Sequence, residues 1–168
     1  MDRETAVRHV MQANKSKNTG PELLVRTGLR EAGLPGYRLH WKKAAGRPDI
    51  CYPGRHIAIF VNGCYWHRCP WCSLPNPKSN VSFWEAKFAR NKARDQENVE
   101  ALVADGWTVL LTWECRLKKE RREGTLEQIV SEVQWATEHG AEGRVVEIGA
   151  PPAWRLRVAR KRLGRHLR

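Results

Sequence analysis

Four of the five cysteines in this 168-residue chain stand at Cys64, Cys69, Cys72 and Cys115. With Cys-x4-Cys-x2-Cys in one stretch and a fourth thiol downstream, they supply the four thiolates that zinc takes in a tetrahedral structural site. Four protein ligands leave no open coordination position, so the spacing predicts a structural zinc, not a catalytic one. The same residues fit two other arrangements: Cys69 and Cys72 as a redox dithiol, with the rest as reduced core thiols, or His67 in place of one thiolate. Redox dithiols normally open a helix after a strand, whereas Cys69-Pro70-Trp71-Cys72 lies in mid-loop. Cys51, inside an apolar run, reads as a small buried hydrophobe.

The thiols bracket Tyr65-Trp66-His67. Flat aromatic faces stack on nucleic-acid bases, and a histidine accepts a proton from water or, charged, holds a phosphate. The alternative for His67 is a supporting role beside the zinc. Gly46-Arg47-Pro48-Asp49 puts a carboxylate at the start of a strand. A hard cation such as magnesium binds carboxylate, carbonyl and water oxygens, and such an ion polarises a phosphodiester and activates water. Alone, Asp49 is equally a turn carboxylate; Glu22 on a helix and His67 add weight to the metal reading. Asp95 follows Asn91 by four residues, hence on one helix face; without further context, Lys87, Arg90, Lys92, Arg94 and Asp95 form an exposed charged face.

The formal net charge is +12 and the isoelectric point about 10.0. A balance so basic favours a polyanionic partner, because neutralising phosphates releases condensed counterions; a merely basic soluble protein is the bland alternative. Residues 150–168 hold seven of the positive charges and no acid, leaving +5 for the rest. That tail reads as a phosphate-gripping arm, an amphipathic helix led by Trp154, or an inessential solvated end. The N-terminus has no apolar signal core, and no apolar run approaches the roughly 20 residues of a membrane span. Five cysteines, an odd number, fit a reducing cytoplasm, with the protein on the nucleoid.

The elements that must position these groups follow from punctuation and periodicity. Thr19 is an N-cap, with Pro21 and Glu22 in the first turn of a helix running to Gly33. Strands are expected over Tyr37–Trp41, Asp49–Tyr52 and His56–Val61, the last two as an antiparallel hairpin across Pro53-Gly54. Residues 62–81 form the irregular metal loop. Ser82 caps a long helix with Phe83, Trp84, Phe88, Val99 and Leu102 as its apolar face, ended by Gly106. A core strand over Trp107–Trp113, a helix over Thr125–His139 and a strand over Arg144–Ile148 complete a single α/β domain. The expected organisation is a basic arm or helix over 1–18, the main domain over 19–149 and the tail over 150–168.

GRPDI at 46–50, FVNGCYWHRC at 60–69, SFWEAKFARNKARD at 82–95 and GWTVLLTWEC at 106–115 occur in this order, preceded by NKSKNTGPELLVR at 14–26. Together they resemble the very short patch repair endonucleases, the Vsr family, over roughly residues 8–118. The resemblance implies a restriction-endonuclease-like fold, a central mixed sheet flanked by helices with a structural zinc loop. It implies a magnesium-dependent enzyme that nicks duplex DNA 5′ of the thymine in a T:G mismatch left by 5-methylcytosine deamination. It also implies DNA polymerase, ligase and mismatch-repair proteins as partners; a monomer is expected because a single-strand nick at an asymmetric lesion needs one active site, and no membrane is expected because no apolar run is long enough to span one.

Residue by residue, the resemblance makes Asp49 the magnesium-binding aspartate, and Val61 a second ligand through its backbone carbonyl. His67 becomes the catalytic histidine, Glu22 an acid acting through metal-bound water, and Asp95 an active-site aspartate. Tyr65, Trp66 and Trp84 form an aromatic wedge beside the mismatch, and Met11 probes from the opposite groove. Asn62 stands where the family pattern has a second active-site histidine, which shifts weight onto His67 and leaves Asn62 as a hydrogen-bond donor to Asp95 or phosphate. Cys69 replaces a histidine zinc ligand, Cys72 is displaced by one residue, and Tyr65 replaces a phenylalanine.

Overall fold

The computed structural model describes residues 17–150. Met11, most of the expected arm and the tail beyond Ala150 lie outside the described residues. The elements, in chain order, are helix α1 (Gly20–Glu31), strands β1 (Arg38–Leu39), β2 (Ile50–Tyr52) and β3 (Ile57–Asn62), helix α2 (Val81–Ala104), strand β4 (Thr108–Trp113), helix α3 (Arg122–His139) and strand β5 (Val145–Glu147). One five-stranded sheet has the order β1-β2-β3-β4-β5. The pairs β1–β2 and β2–β3 are antiparallel, whereas β3–β4 and β4–β5 are parallel. The sheet is therefore mixed and flanked by helices, as the sequence led us to expect.

Period-two alternation sorts the strand side chains between two cores. Ile57 and Ile59 of β3 and Leu110 of β4 pack with Val25 and Leu29 of α1 and with Ile129, Val133 and Ala136 of α3. On the opposite face Cys51, Ala58 and Val109 pack under Leu102, Trp107 and the partly buried Val99 of α2. Cys51 is fully buried, and burial pushes its thiol up to about 11; it behaves as the small hydrophobe its sequence context implies.

Helix α2 departs from expectation at its start. It begins at Val81 after Asn80, whose φ of 51° is left-handed and whose side chain makes no capping bond; Asn tolerates that region better than most residues. Ser82 thus lies inside the first turn. Phe83, expected on the inward face, is 54% exposed. The reason is length. A 24-residue helix runs about 36 Å, whereas a six-residue strand spans about 20 Å. Only the C-terminal half of α2 covers the sheet; the N-terminal half overhangs it, beside the metal loop.

Candidate active site

Glu22 is fixed by the way α1 starts. Thr19 Oγ1 accepts the Glu22 backbone N–H at 3.4 Å, and Glu22 Oε2 reaches back to accept the Asn18 N–H at 3.0 Å. This is a reciprocal cap close to the capping box. Arg26, one turn on, pairs with Glu22 Oε2 at 3.0 Å with both side chains buried, and Arg26 also donates to Asn18 Oδ1 at 2.7 Å.

Asp49 enters from the loop before β2. Its Oδ2 accepts the backbone N–H of Val61 at 2.7 Å. In an extended strand a residue's N–H and C=O point to the same edge, so the Val61 carbonyl lies on the edge that faces Asp49. Burial pushes the Asp49 carboxyl up to about 6, and the Glu22 charge adds to this; the Val61 bond and the charges of His67 and Arg26 oppose it. The loop that delivers Asp49 is clamped on α2. Gly46 has φ of +71°, and a Cβ there would stand 2.9 Å from Asn98 Cβ, so both the backbone angle and the close approach require glycine.

His67 sits at the end of the Tyr65–Trp66–His67 turn, where its N–H bonds Gly63 O at 3.2 Å. Its Nδ1 hydrogen-bonds Asp95 Oδ2, which leaves Nε2 as the ring nitrogen not engaged by Asp95. Burial acts to raise the Asp95 carboxyl, but the hydrogen bond and charge of His67, aided by Arg94, hold it below the usual carboxylate range. One turn earlier on α2, Asn91 Nδ2 donates to Trp66 O at 3.3 Å. The long helix therefore grips both the histidine and the tryptophan before it.

These groups share one cleft of about 830 Å³, lined by Glu22, Asp49, Val61, Asn62, Trp66, His67 and Asp95, with Arg47, Lys87 and Arg94 at hand. Beside it the overhang of α2 and the loop build an aromatic cluster. Tyr65 and Trp66 meet edge-on at 5.2 Å, Trp66 and Trp84 lie 6.2 Å apart, and Phe88 packs edge-on to Tyr65 at 5.5 Å. Lys87 Nζ sits over the Trp66 and Trp84 rings at 5.6 and 5.2 Å.

The four cysteines converge, with one sulfur from each within 4.8 Å of the others. Cys69 Sγ and Cys115 Sγ are 3.7 Å apart, too far for a disulfide. Four sulfurs at 2.3 Å from a central ion form a tetrahedron with edges of about 3.8 Å. Backbone N–H groups point at the sulfurs, Trp71 N–H at Cys69 Sγ and Cys115 N–H at Cys64 Sγ, at 3.4 and 3.3 Å. Burial pushes the Cys115 thiol up to about 11, and it raises Cys64 as well. Cys72 is held low: its slight burial is outweighed by hydrogen bonds from Cys115, Cys69 and Cys64. Such a site is compatible with zinc, and the donor set excludes a hard ion. His67 lies outside it, bonded to Asp95 instead.

A histidine behind the cleft carboxylates was not singled out by the sequence. His40 follows β1 and lies between the two carboxylates, Nε2 3.5 Å from Glu22 Oε2 and Nδ1 3.7 Å from Asp49 Oδ1. Burial lowers its pKa despite the Glu22 charge. The signal was strand register: Leu39 pairs with Ile50, so His40 must lie opposite Asp49.

The chain is similar to known proteins. A family model described as DNA mismatch endonuclease Vsr matches residues 2–73. The type II nicking enzyme V.XorIIP of Xanthomonas oryzae pv. oryzae is 44% identical over 111 residues, covering 66% of this chain and 80% of the relative. The type II nicking enzyme V.HpaIIP of Haemophilus parainfluenzae is 34% identical over 116 residues, 68% and 82% of the two chains. DNA mismatch endonuclease Vsr of Escherichia coli K12 is 29% identical over 137 residues, 80% and 86% of the two. Among the described residues no helix is long and apolar enough to cross a membrane. With two carboxylates, a histidine–aspartate pair and an aromatic cluster set around one cleft, and relatives of this kind matched over most of their length, the chain belongs to the Vsr family of DNA endonucleases.

Proposed function

We propose that this endonuclease nicks duplex DNA 5′ of the thymine in a T:G mismatch produced by 5-methylcytosine deamination, and so initiates very short patch repair. The observation that carries the proposal is the meeting of Asp49, Glu22 and the His67–Asp95 pair in one cleft, flanked by Tyr65, Trp66 and Trp84. A magnesium ion, held by Asp49 and the Val61 carbonyl with Glu22 reaching it through water, would supply Lewis-acid stabilisation of the phosphate. His67 Nε2 takes the proton from the attacking water as the new P–O bond forms and the P–O3′ bond breaks with its electron pair on O3′, which takes a proton from solvent; the products are a 5′-phosphate and a 3′-hydroxyl. Asp95 orients the ring and stabilises its cation. Asn62, on the cleft wall, donates to a phosphate oxygen.

The wedge follows from the cost of opening a duplex. Unstacking a base step costs a few kcal/mol and least at a mismatch, and each base stacked on an aromatic face returns about 1–3 kcal/mol. Zinc on Cys64, Cys69, Cys72 and Cys115 would order the loop before DNA arrives, so binding is not burdened with that ordering. Trp66 and His67 are adjacent, and both are held by α2, so insertion of the wedge sets the position of the histidine. The N-terminal Met11 would complete the probe from the other groove.

The test is strand-specific cleavage of a labelled duplex library with magnesium, carrying a central T:G pair in randomised flanks beside T:A and C:G controls. Nicking confined to the T strand and lost in Asp49→Ala is the expected result, and it also supplies the flanking sequence. Cutting of matched controls at comparable rates would replace the reading with a nickase of relaxed specificity. No metal-dependent cutting in any context would leave a zinc DNA-binding module.

A further inference from the structure

The pairing of His40 with two carboxylates is left unused by this account. Glu22, His40 and Asp49 come from three different segments, yet each offers a ligand atom within 4.8 Å of the other two. At 3.5 and 3.7 Å the contacts of His40 are too long for hydrogen bonds. Its Nε2 is buried without any hydrogen-bond partner, an arrangement that costs free energy unless something binds there. The donor side is already committed: Arg26 and the Asn18 N–H serve Glu22, and the Val61 N–H serves Asp49 Oδ2. Arg26 is already paired with Glu22, so two carboxylates still face an unpartnered ring nitrogen, with the Lys17 charge also acting on the ring. A divalent cation satisfies all three groups at once.

We infer that His40 is a nitrogen ligand to the divalent ion of this cleft, so that the site binds Mn²⁺ or another first-row ion more tightly than Mg²⁺. The inference rests on the metal-dependent reading above. Its chemical basis is donor type: magnesium selects all-oxygen surroundings, whereas imidazole favours transition ions. Mn²⁺ is the appropriate probe because it does not compete for thiolate sites.

The experiment uses the zinc-loaded full chain with ring-¹⁵N histidine, titrated with manganese chloride. Electron paramagnetic resonance counts free Mn²⁺, and spin-echo modulation reads a ring nitrogen on the bound ion. The expected result is a modulation that changes between ¹⁴N and ¹⁵N histidine, survives in His67→Gln and vanishes in His40→Gln. Mn²⁺ affinity should fall about tenfold or more in His40→Gln, with Mg²⁺ competition changed much less. Bound Mn²⁺ that is lost in Asp49→Asn but never shows nitrogen modulation overturns the role of His40 and leaves the cleft ion standing. Mn²⁺ binding indifferent to Asp49→Asn overturns both. Where His40→Gln fails to fold, the same isotope comparison made in His67→Gln decides the matter.

Discussion

Asp49 is buried in the cleft at the expense of stability, and the size of that cost follows from its surroundings. Its carboxyl is raised from 3.8 to about 6, chiefly by burial. The folded protein therefore binds this proton more tightly than the unfolded chain does. The stability it confers is fully present below pH 3.8 and is lost as pH rises through about 6. A shift of about two units at 1.36 kcal/mol each amounts to about 3 kcal/mol at neutral pH. The linkage integral puts roughly half of that loss below pH 5, leaving about 1.5 kcal/mol to develop between pH 5 and pH 8. Asp49→Asn removes the charge and keeps an oxygen for the Val61 N–H. In zinc-loaded protein without magnesium, the variant should be the more stable form at pH 8, and its advantage should shrink by about 1.5 kcal/mol at pH 5. Urea unfolding at the two pH values measures this directly. The variant should also be inactive in the nicking assay. An advantage that stays constant or grows on acidification refutes the reasoning, because it would mean that Asp49 is not desolvated in the fold.

Other perturbations separate the parts of the site. His67→Gln should lower the nicking rate about 10²–10⁴-fold with DNA binding retained, whereas Asp95→Asn, which acts through His67, should cost less and alter the pH profile; equal losses with unchanged profiles would remove Asp95 from that role. Gly46→Ala forces a Cβ to 2.9 Å from Asn98 and a strained positive φ, and should destabilise by about 1–3 kcal/mol, read as a fall of several degrees in Tm. Cys72→Ala should release zinc, detected with a chromogenic chelator, and abolish nicking while leaving the secondary structure of the sheet intact by circular dichroism. Trp66→Ala should reduce both mismatch preference and cleavage rate; a variant with neither changed would disconnect the wedge from the histidine.

Much of the scaffold was legible because the signals were local. Thr19, Pro21 and Glu22 mark a helix start that the capping bonds reproduce, and the continuous apolar run expected as a strand over His56–Val61 is the central strand. The cysteine spacing carried its own geometry. What escaped were relations between distant segments. No local pattern says how far α2 outruns the sheet, so Phe83 was assigned inward when it lies in the overhang. Nor does the sequence state the β1–β2 register that sets His40 opposite Asp49. Nothing in the local sequence of Asn91 and Asn98 signals that the fold sets Trp66 O and Gly46 against them.

The thiolate cluster has a further consequence for the order in which the enzyme comes into being. Cys64, Cys69 and Cys72 leave the ribosome well before Cys115, which stands at the end of the parallel partner of β3. At synthesis rates of about 5–20 residues per second, the metal cage stays one ligand short for seconds while α2 and β4 are made. On the zinc reading, Trp66 and His67 acquire their fixed places only when that last thiolate arrives. A nascent or prematurely ended chain would hold every predicted cutting residue and still lack the rigid loop that aims them. A chain stopped at residue 114 and assayed for nicking should be inert.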